Sequence, residues 1–124
     1  MSLHPNTRVQ SFRYAIRGIS EMLRTESNAR IHVIATIAVV SAGFAIGINR
    51  TEWLAITLSI TGVWCAEGFN TAFESLCDVA SSQYHPKVER AKDIAAGAVL
   101  LTATGAVVIF LLVFGHHLFA LLIQ

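Results

Sequence analysis

The sequence predicts an all-α integral membrane protein: three spanning helices preceded by an amphipathic helix on the membrane surface. Three observations lead there. The 124 residues are 54% hydrophobic and only 14% charged, against roughly 25% charged in ordinary soluble domains. Three apolar segments each meet the roughly 18–20 residues that a helix needs to cross about 30 Å of hydrocarbon. The basic residues cluster outside those segments in a pattern that fixes one orientation.

Residues 1–124 read as a single domain, with the surface helix at about 8–24 and the spans at about 31–48, 53–77 and 94–123. In the surface helix Phe12, Ile16, Ile19 and Leu23 recur at helical spacing on one face, with Arg13, Arg17, Ser20, Glu21 and Arg24 opposite. A basic amphipathic helix of this kind suits an anionic membrane interface. The first span carries no charge. Gly43, Gly47, Gly62, Gly97 and Gly105 sit inside the spans, where small residues let helices approach closely. Residues 79–93, with Ser81, Ser82, His85 and Pro86, break the helical pattern, which resumes near Val88.

Five basic residues precede the first span (Arg8, Arg13, Arg17, Arg24, Arg30) and three lie between spans two and three (Lys87, Arg90, Lys92). Only Arg50 occupies the loop after span one, and none follows span three. The N-terminus and the 79–93 loop are therefore expected in the cytoplasm, with Asn49–Glu52 and the C-terminus outside. The net charge of +1 gives no argument for nucleic acid as a partner. Cys65 and Cys77 form no paired framework and read as small hydrophobes. Trp53 reads as an interface belt residue, Trp64 as packing, and His116 and His117 as ordinary residues near a span end.

The second span holds the chemistry. Glu67, Asn70, Glu74 and Asp78 follow at i, i+3, i+7 and i+11. At roughly 100° per residue, the three carboxylates fall within about 40° of one another, with the amide about 60° to one side. An acidic group at membrane depth costs a few kcal/mol. A salt bridge between helices would need bases in spans one or three, and none is expected there. Two explanations remain: a cation or proton pathway, or a metal site near the cytoplasmic mouth. Hard oxygen donors beside an amide suit Mg²⁺, which takes one or two carboxylates and completes its shell with water and phosphate oxygens.

Glu26 and Asn28 end the surface segment, and Lys92-Asp93 opens span three near the depth of Asp78. A cation channel has no use for a lysine at its mouth, whereas phosphoryl transfer needs one to neutralise developing charge. Glu67, deepest in the stripe, is the candidate base for an attacking hydroxyl. No Walker-type or protein-kinase glycine loop occurs. The residues by themselves reach a metal-dependent membrane enzyme acting on a phosphate ester. A carboxylate-lined ion pathway and a non-catalytic assembly protein stay open beside it.

The run Glu67-Gly-Phe-Asn-Thr-Ala-Phe-Glu74, followed by Asp78, His85-Pro86 and Ala91-Lys-Asp-Ile-Ala-Ala-Gly-Ala-Val99, resembles the prokaryotic diacylglycerol kinase and undecaprenol kinase family. So do Phe12-Arg-Tyr-Ala-Ile-Arg-Gly18 and Arg24-Thr-Glu-Ser-Asn-Ala-Arg-Ile-His32, and the likeness covers roughly residues 12–110. The resemblance implies a homotrimeric lipid kinase of the bacterial inner membrane, with active sites shared between neighbouring subunits. It would use Mg²⁺ and ATP to phosphorylate the hydroxyl of a membrane lipid. It further implies that Glu26 and Glu74 ligate the metal, that Glu67 is the general base, and that Asn70 and Lys92 contact the transferred phosphate. Tyr14, Asp78, Tyr84, His85 and Asp93 would lie around the nucleotide. Gly68, Phe69 and Phe73 depart from the family pattern, all off the carboxylate stripe. The N-terminal pattern (Arg17-Gly18 and Arg24-Thr-Glu26) is closer to the undecaprenol branch.

Overall fold

The computed structural model describes residues 7–124 and is helical throughout, in the order α1 (Arg8–Thr25), α2 (Ser27–Ile46), α3 (Arg50–Ala80) and α4 (Pro86–Leu122). Local chemistry sets each boundary. Thr7 and Gln10 exchange hydrogen bonds in a capping box that starts α1. Glu26 adopts an extended conformation (φ −98°, ψ 120°), which ends α1 and begins α2 within one residue. Gly47 closes α2 at φ 76°, a left-handed conformation that favours glycine. There Gly47 and Ile48 both donate backbone N–H groups to the Gly43 carbonyl. Asn49 and Glu52 form a second capping box at the start of α3.

The loop after α3 is shorter than the sequence suggests. It covers only residues 81–85, because His85 caps α4 through Nδ1, which accepts from the Lys87 N–H at 3.2 Å, and Pro86 occupies the first turn. Proline there needs no N–H partner and is already set to helical φ. Lys92 and Asp93 therefore project from a formed helix, in its second turn, and not from a loop mouth.

α3 and α4 pair as an antiparallel hairpin, the largest helix contact in the chain. Ile48, Ile56 and Val113 form its buried centre, with Trp53, Ile109, Phe110 and Phe114 packed around them. Trp53 is part of this packing, its ring 4.8 Å from that of Phe44 and its edge against Gly43, so it is more than a belt residue. α2 and α4 are long and apolar enough to cross a membrane. α3 has the length, but Glu67, Asn70 and Glu74 lower its hydropathy.

The chain exposes 9627 Å², whereas a soluble monomer of 13.5 kDa exposes about 6,500 Å². Much of the surplus is apolar: Phe44, Leu58, Phe69, Leu111 and Leu112 are all exposed. Such faces are built for lipid or for other copies of the chain.

At the end opposite the carboxylate stripe, His117 Nε2 lies 3.0 and 3.1 Å from the two carboxylate oxygens of Glu52. That hydrogen bond, and then the backbone N–H of Asn49, hold the Glu52 carboxyl below its ordinary pKa. A lowered carboxylate pKa means fewer bound protons in the folded state than in the unfolded one. The stabilisation is therefore complete above the ordinary carboxylate value and is lost as pH falls through the lowered one. Melting curves in detergent are expected to show an acid-side loss of stability that is smaller in Glu52→Gln. Superimposable acid limbs in the two proteins would contradict this.

Candidate active site

Exposure rises along the polar stripe of α3 from its middle to its end. Glu67 is 1% exposed and Asn70 9%, Glu74 is half-buried, and the Asp78 side chain is 71% exposed. Asn70 Nδ2 donates to Glu74 Oε1 at 3.3 Å. Asn70 Oδ1, Glu67 Oε2 and Thr71 Oγ1 are buried without a hydrogen-bond partner. Leaving such atoms unpaired costs about 1–3 kcal/mol each, so three in one stretch mark a place shaped for something other than the chain itself.

α1 and the α1–α2 junction pack beside the neighbouring face of α3, that of Trp64, Gly68 and Thr71. A groove of about 800 Å³ runs between α1 and α3. Gly18, Met22 and Glu26 form one wall, and Trp64, Gly68 and Thr71 face them. Glu26, at the break between the helices, is half-buried at this groove. The titratable groups near enough to act on Glu67 are His32, Glu26 and Glu74. The structure thus gathers Glu26, Glu67, Asn70 and Glu74 into one neighbourhood.

Lys92 stands at the outer end of the same stripe, within the field of Glu74. Lys92 Nζ meets Asp78 Oδ1 at 2.6 Å. This contact holds the lysine above its ordinary pKa and so keeps it charged. The Tyr84 hydroxyl donates to Glu89 Oε2 at 2.7 Å, which pushes the phenol up. His85 is committed to its cap, and Tyr14 and Asp93 are exposed.

A base does stand beside the stripe, contrary to the reading of the spans as free of them. His32, in the second turn of α2, places Nε2 3.8 Å from Glu67 Oε2. Its ring packs edge-on to Trp64 at 6.2 Å. The indole N–H of Trp64 donates to Thr36 Oγ1 at 3.1 Å, and that hydroxyl donates to the His32 carbonyl at 2.7 Å. Trp64 thus packs, as expected, but it also fixes the imidazole. His32 closes the Arg24–His32 run and Thr71 lies within the Glu67–Glu74 run, but neither carries a role in the sequence reading, because they join α3's stripe only across helices or beside it.

The oxygen donors fit a divalent ion. Among the described residues no three His, Cys, Asp or Glu side chains converge on one point. Two carboxylates with an unpaired amide oxygen are what Mg²⁺ accepts when water and phosphate complete its shell.

The sequence profile of the family described as prokaryotic diacylglycerol kinase matches residues 13–114. The chain belongs to this family. It is 42% identical over 105 residues to the undecaprenol kinase of Bacillus subtilis (strain 168), covering 85% of each chain. It is 41% identical over 106 residues to the diacylglycerol kinase of Synechocystis sp. (strain ATCC 27184 / PCC 6803 / Kazusa), covering 85% of this chain and 60% of that protein. Family membership makes the chain a lipid kinase, a phosphotransferase with an alcohol acceptor. With its apolar helices, it is a membrane protein.

Proposed function

We propose that the chain transfers the γ-phosphate of Mg-ATP to the hydroxyl of a membrane lipid, with undecaprenol favoured over diacylglycerol. The observation that carries this reading is the cluster of Glu26, Glu67, Asn70 and Glu74, with unpaired oxygens on Glu67 and Asn70; of these residues Glu26 also lines the apolar groove between α1 and α3. Undecaprenol is favoured by the Arg17-Gly18 and Arg24-Thr-Glu26 pattern and by the similarity to the Bacillus enzyme.

Each residue takes a role from its place. Glu67, dry and with one oxygen free, accepts the proton of the attacking hydroxyl. Glu26 and Glu74 hold Mg²⁺, which when bound neutralises phosphate charge. Asn70 directs its amide at the transferred group, and Lys92, kept charged by Asp78, balances charge as it develops. Tyr14, Asp78, Tyr84, His85 and Asp93 surround the nucleotide. The groove between α1 and α3 seats the apolar part of the lipid, with Glu26 and Thr71 in its lining.

The same reading extends to the assembly. The chain is a single domain that crosses the bacterial inner membrane three times, through α2, α3 and α4, with α1 on the cytoplasmic surface. The apolar surplus on these helices is covered by lipid and by two further copies in a homotrimer. The active sites are shared between neighbouring subunits.

Purified protein in lipid, given γ-labelled ATP and Mg²⁺, is expected to label undecaprenol faster than diacylglycerol when the two compete. Lys92→Met is expected to lose most of the transfer. No label in either lipid would overturn the kinase reading. Full activity in Lys92→Met, together with Glu67-dependent ion flux in liposomes, would point to an ion pathway.

A further inference from the structure

We propose that His32 is a second catalytic side chain, clamping the acceptor hydroxyl against Glu67 from the opposite side. The inference rests on the kinase reading and adds to it a residue on a different helix.

The geometry comes first. His32 Nε2 and Glu67 Oε2 are 3.8 Å apart, too far for a direct hydrogen bond and too close for an oxygen in line between them. Glu67 Oε2 is buried and unpaired. An oxygen placed off the axis, about 2.7 Å from the carboxylate and about 2.9 Å from the imidazole nitrogen, sees the two at about 85°; because Oε2 has almost no open surface and a hydroxyl prefers a wider angle, the two side chains part slightly to admit it. One hydroxyl there satisfies both atoms. It donates its proton to Glu67 Oε2 and accepts from His32 Nε2–H.

The tautomer follows from the same contact. A lone pair on Nε2 facing a carboxylate oxygen would be repulsive, so the proton sits on Nε2. The imidazole is also held. Trp64 packs edge-on against it, and through Thr36 the same tryptophan is tied to the His32 backbone. A side chain at the start of a span, 19% exposed and braced in this way, is rigid enough to position a reacting atom.

In the transfer step the acceptor O–H bond breaks and its proton passes to Glu67 Oε2. The oxygen forms a bond to the γ-phosphorus, whose bond to the β,γ-bridging oxygen breaks, and the electron pair leaves on ADP. His32 keeps its proton throughout. It fixes the hydroxyl oxygen so that the remaining lone pair points at phosphorus.

Two amide substitutions separate position from packing. His32→Gln puts an N–H at the distance of Nε2, while His32→Asn withdraws it by one methylene. Steady-state transfer from γ-labelled ATP to undecaprenol is expected to keep kcat within several-fold in His32→Gln. In His32→Asn kcat is expected to fall about 10–100-fold, the scale of a displacement of about 1 Å, with the KM for ATP unchanged. Wild-type kcat in His32→Asn, or equal losses in both variants, would overturn the clamp. If His32→Asn melts early, His32→Met, which fills the ring volume without a donor, takes its place against His32→Gln. Inactivity of the wild type towards either lipid would instead strike at the kinase reading itself.

Discussion

Glu67→Gln is expected to lower phosphate transfer to lipid by about 10²–10⁴-fold, the range that general bases contribute, while nucleotide binding and thermal stability are kept. The substitution replaces one oxygen by an NH₂ group of nearly the same size, so packing around this 1% exposed side chain is preserved. What goes is the acceptor for the hydroxyl proton. Stability holds for a separate reason. The carboxylate is desolvated with one unpaired oxygen, and the field of His32 is opposed by those of Glu26 and Glu74, so its charge contributes little to folding. The measurement is transfer from γ-labelled ATP, with melting curves on the same preparations. Activity within tenfold of the wild type would remove Glu67 from the role of base. A collapse of stability would make the residue structural.

The sequence made the linear features of this protein legible. α1 occupies Arg8–Thr25 against an expected 8–24, because its apolar spacing and its charged face belong to one helix and need no partner. The stripe of Glu67, Asn70 and Glu74 was equally plain, since helical periodicity alone places them together. Signals that were present but underweighted account for α4, which begins at Pro86. A histidine before a proline is a start signal in its own right, with Nδ1 to cap and a first position that needs no N–H.

Long-range pairings were not legible, for a physical reason. His32 and Glu67 are 35 positions apart in sequence, and Glu52 and His117 are 65 apart. Their meeting depends on how α2 and α4 rotate against α3, which single-helix periodicity does not fix. Trp53 shows the same limit. Its position at a span end suits a belt, yet the missing side chain of Gly43 opens a slot that draws the indole inward.

That slot carries the second large expectation: Gly43→Ala destabilises the chain by about 1–3 kcal/mol, the usual cost of overpacking a fitted core. A Cβ at position 43 would stand 2.8 Å from Trp53 Cη2, 3.0 Å from Cζ2 and 3.1 Å from Ile48 Cδ1. Contacts that short force a shift of the indole or of the buried Ile48. The indole lies tilted against Phe44, ring centres 4.8 Å apart, and Ile48 is buried in the α3–α4 centre. The clash also sits where the chain turns, since the Gly43 carbonyl accepts the two N–H groups that close α2. Gly62 and Gly105, whose added Cβ would meet nothing within 4 Å, are the matched controls. Alanine at either is expected to leave the melting temperature almost unchanged. Because the fault is one of volume, Trp53→Leu should restore much of the stability lost in Gly43→Ala while being mildly destabilising alone. Additive losses in the double variant would show that Gly43 acts through its backbone rather than through the space it leaves for the indole.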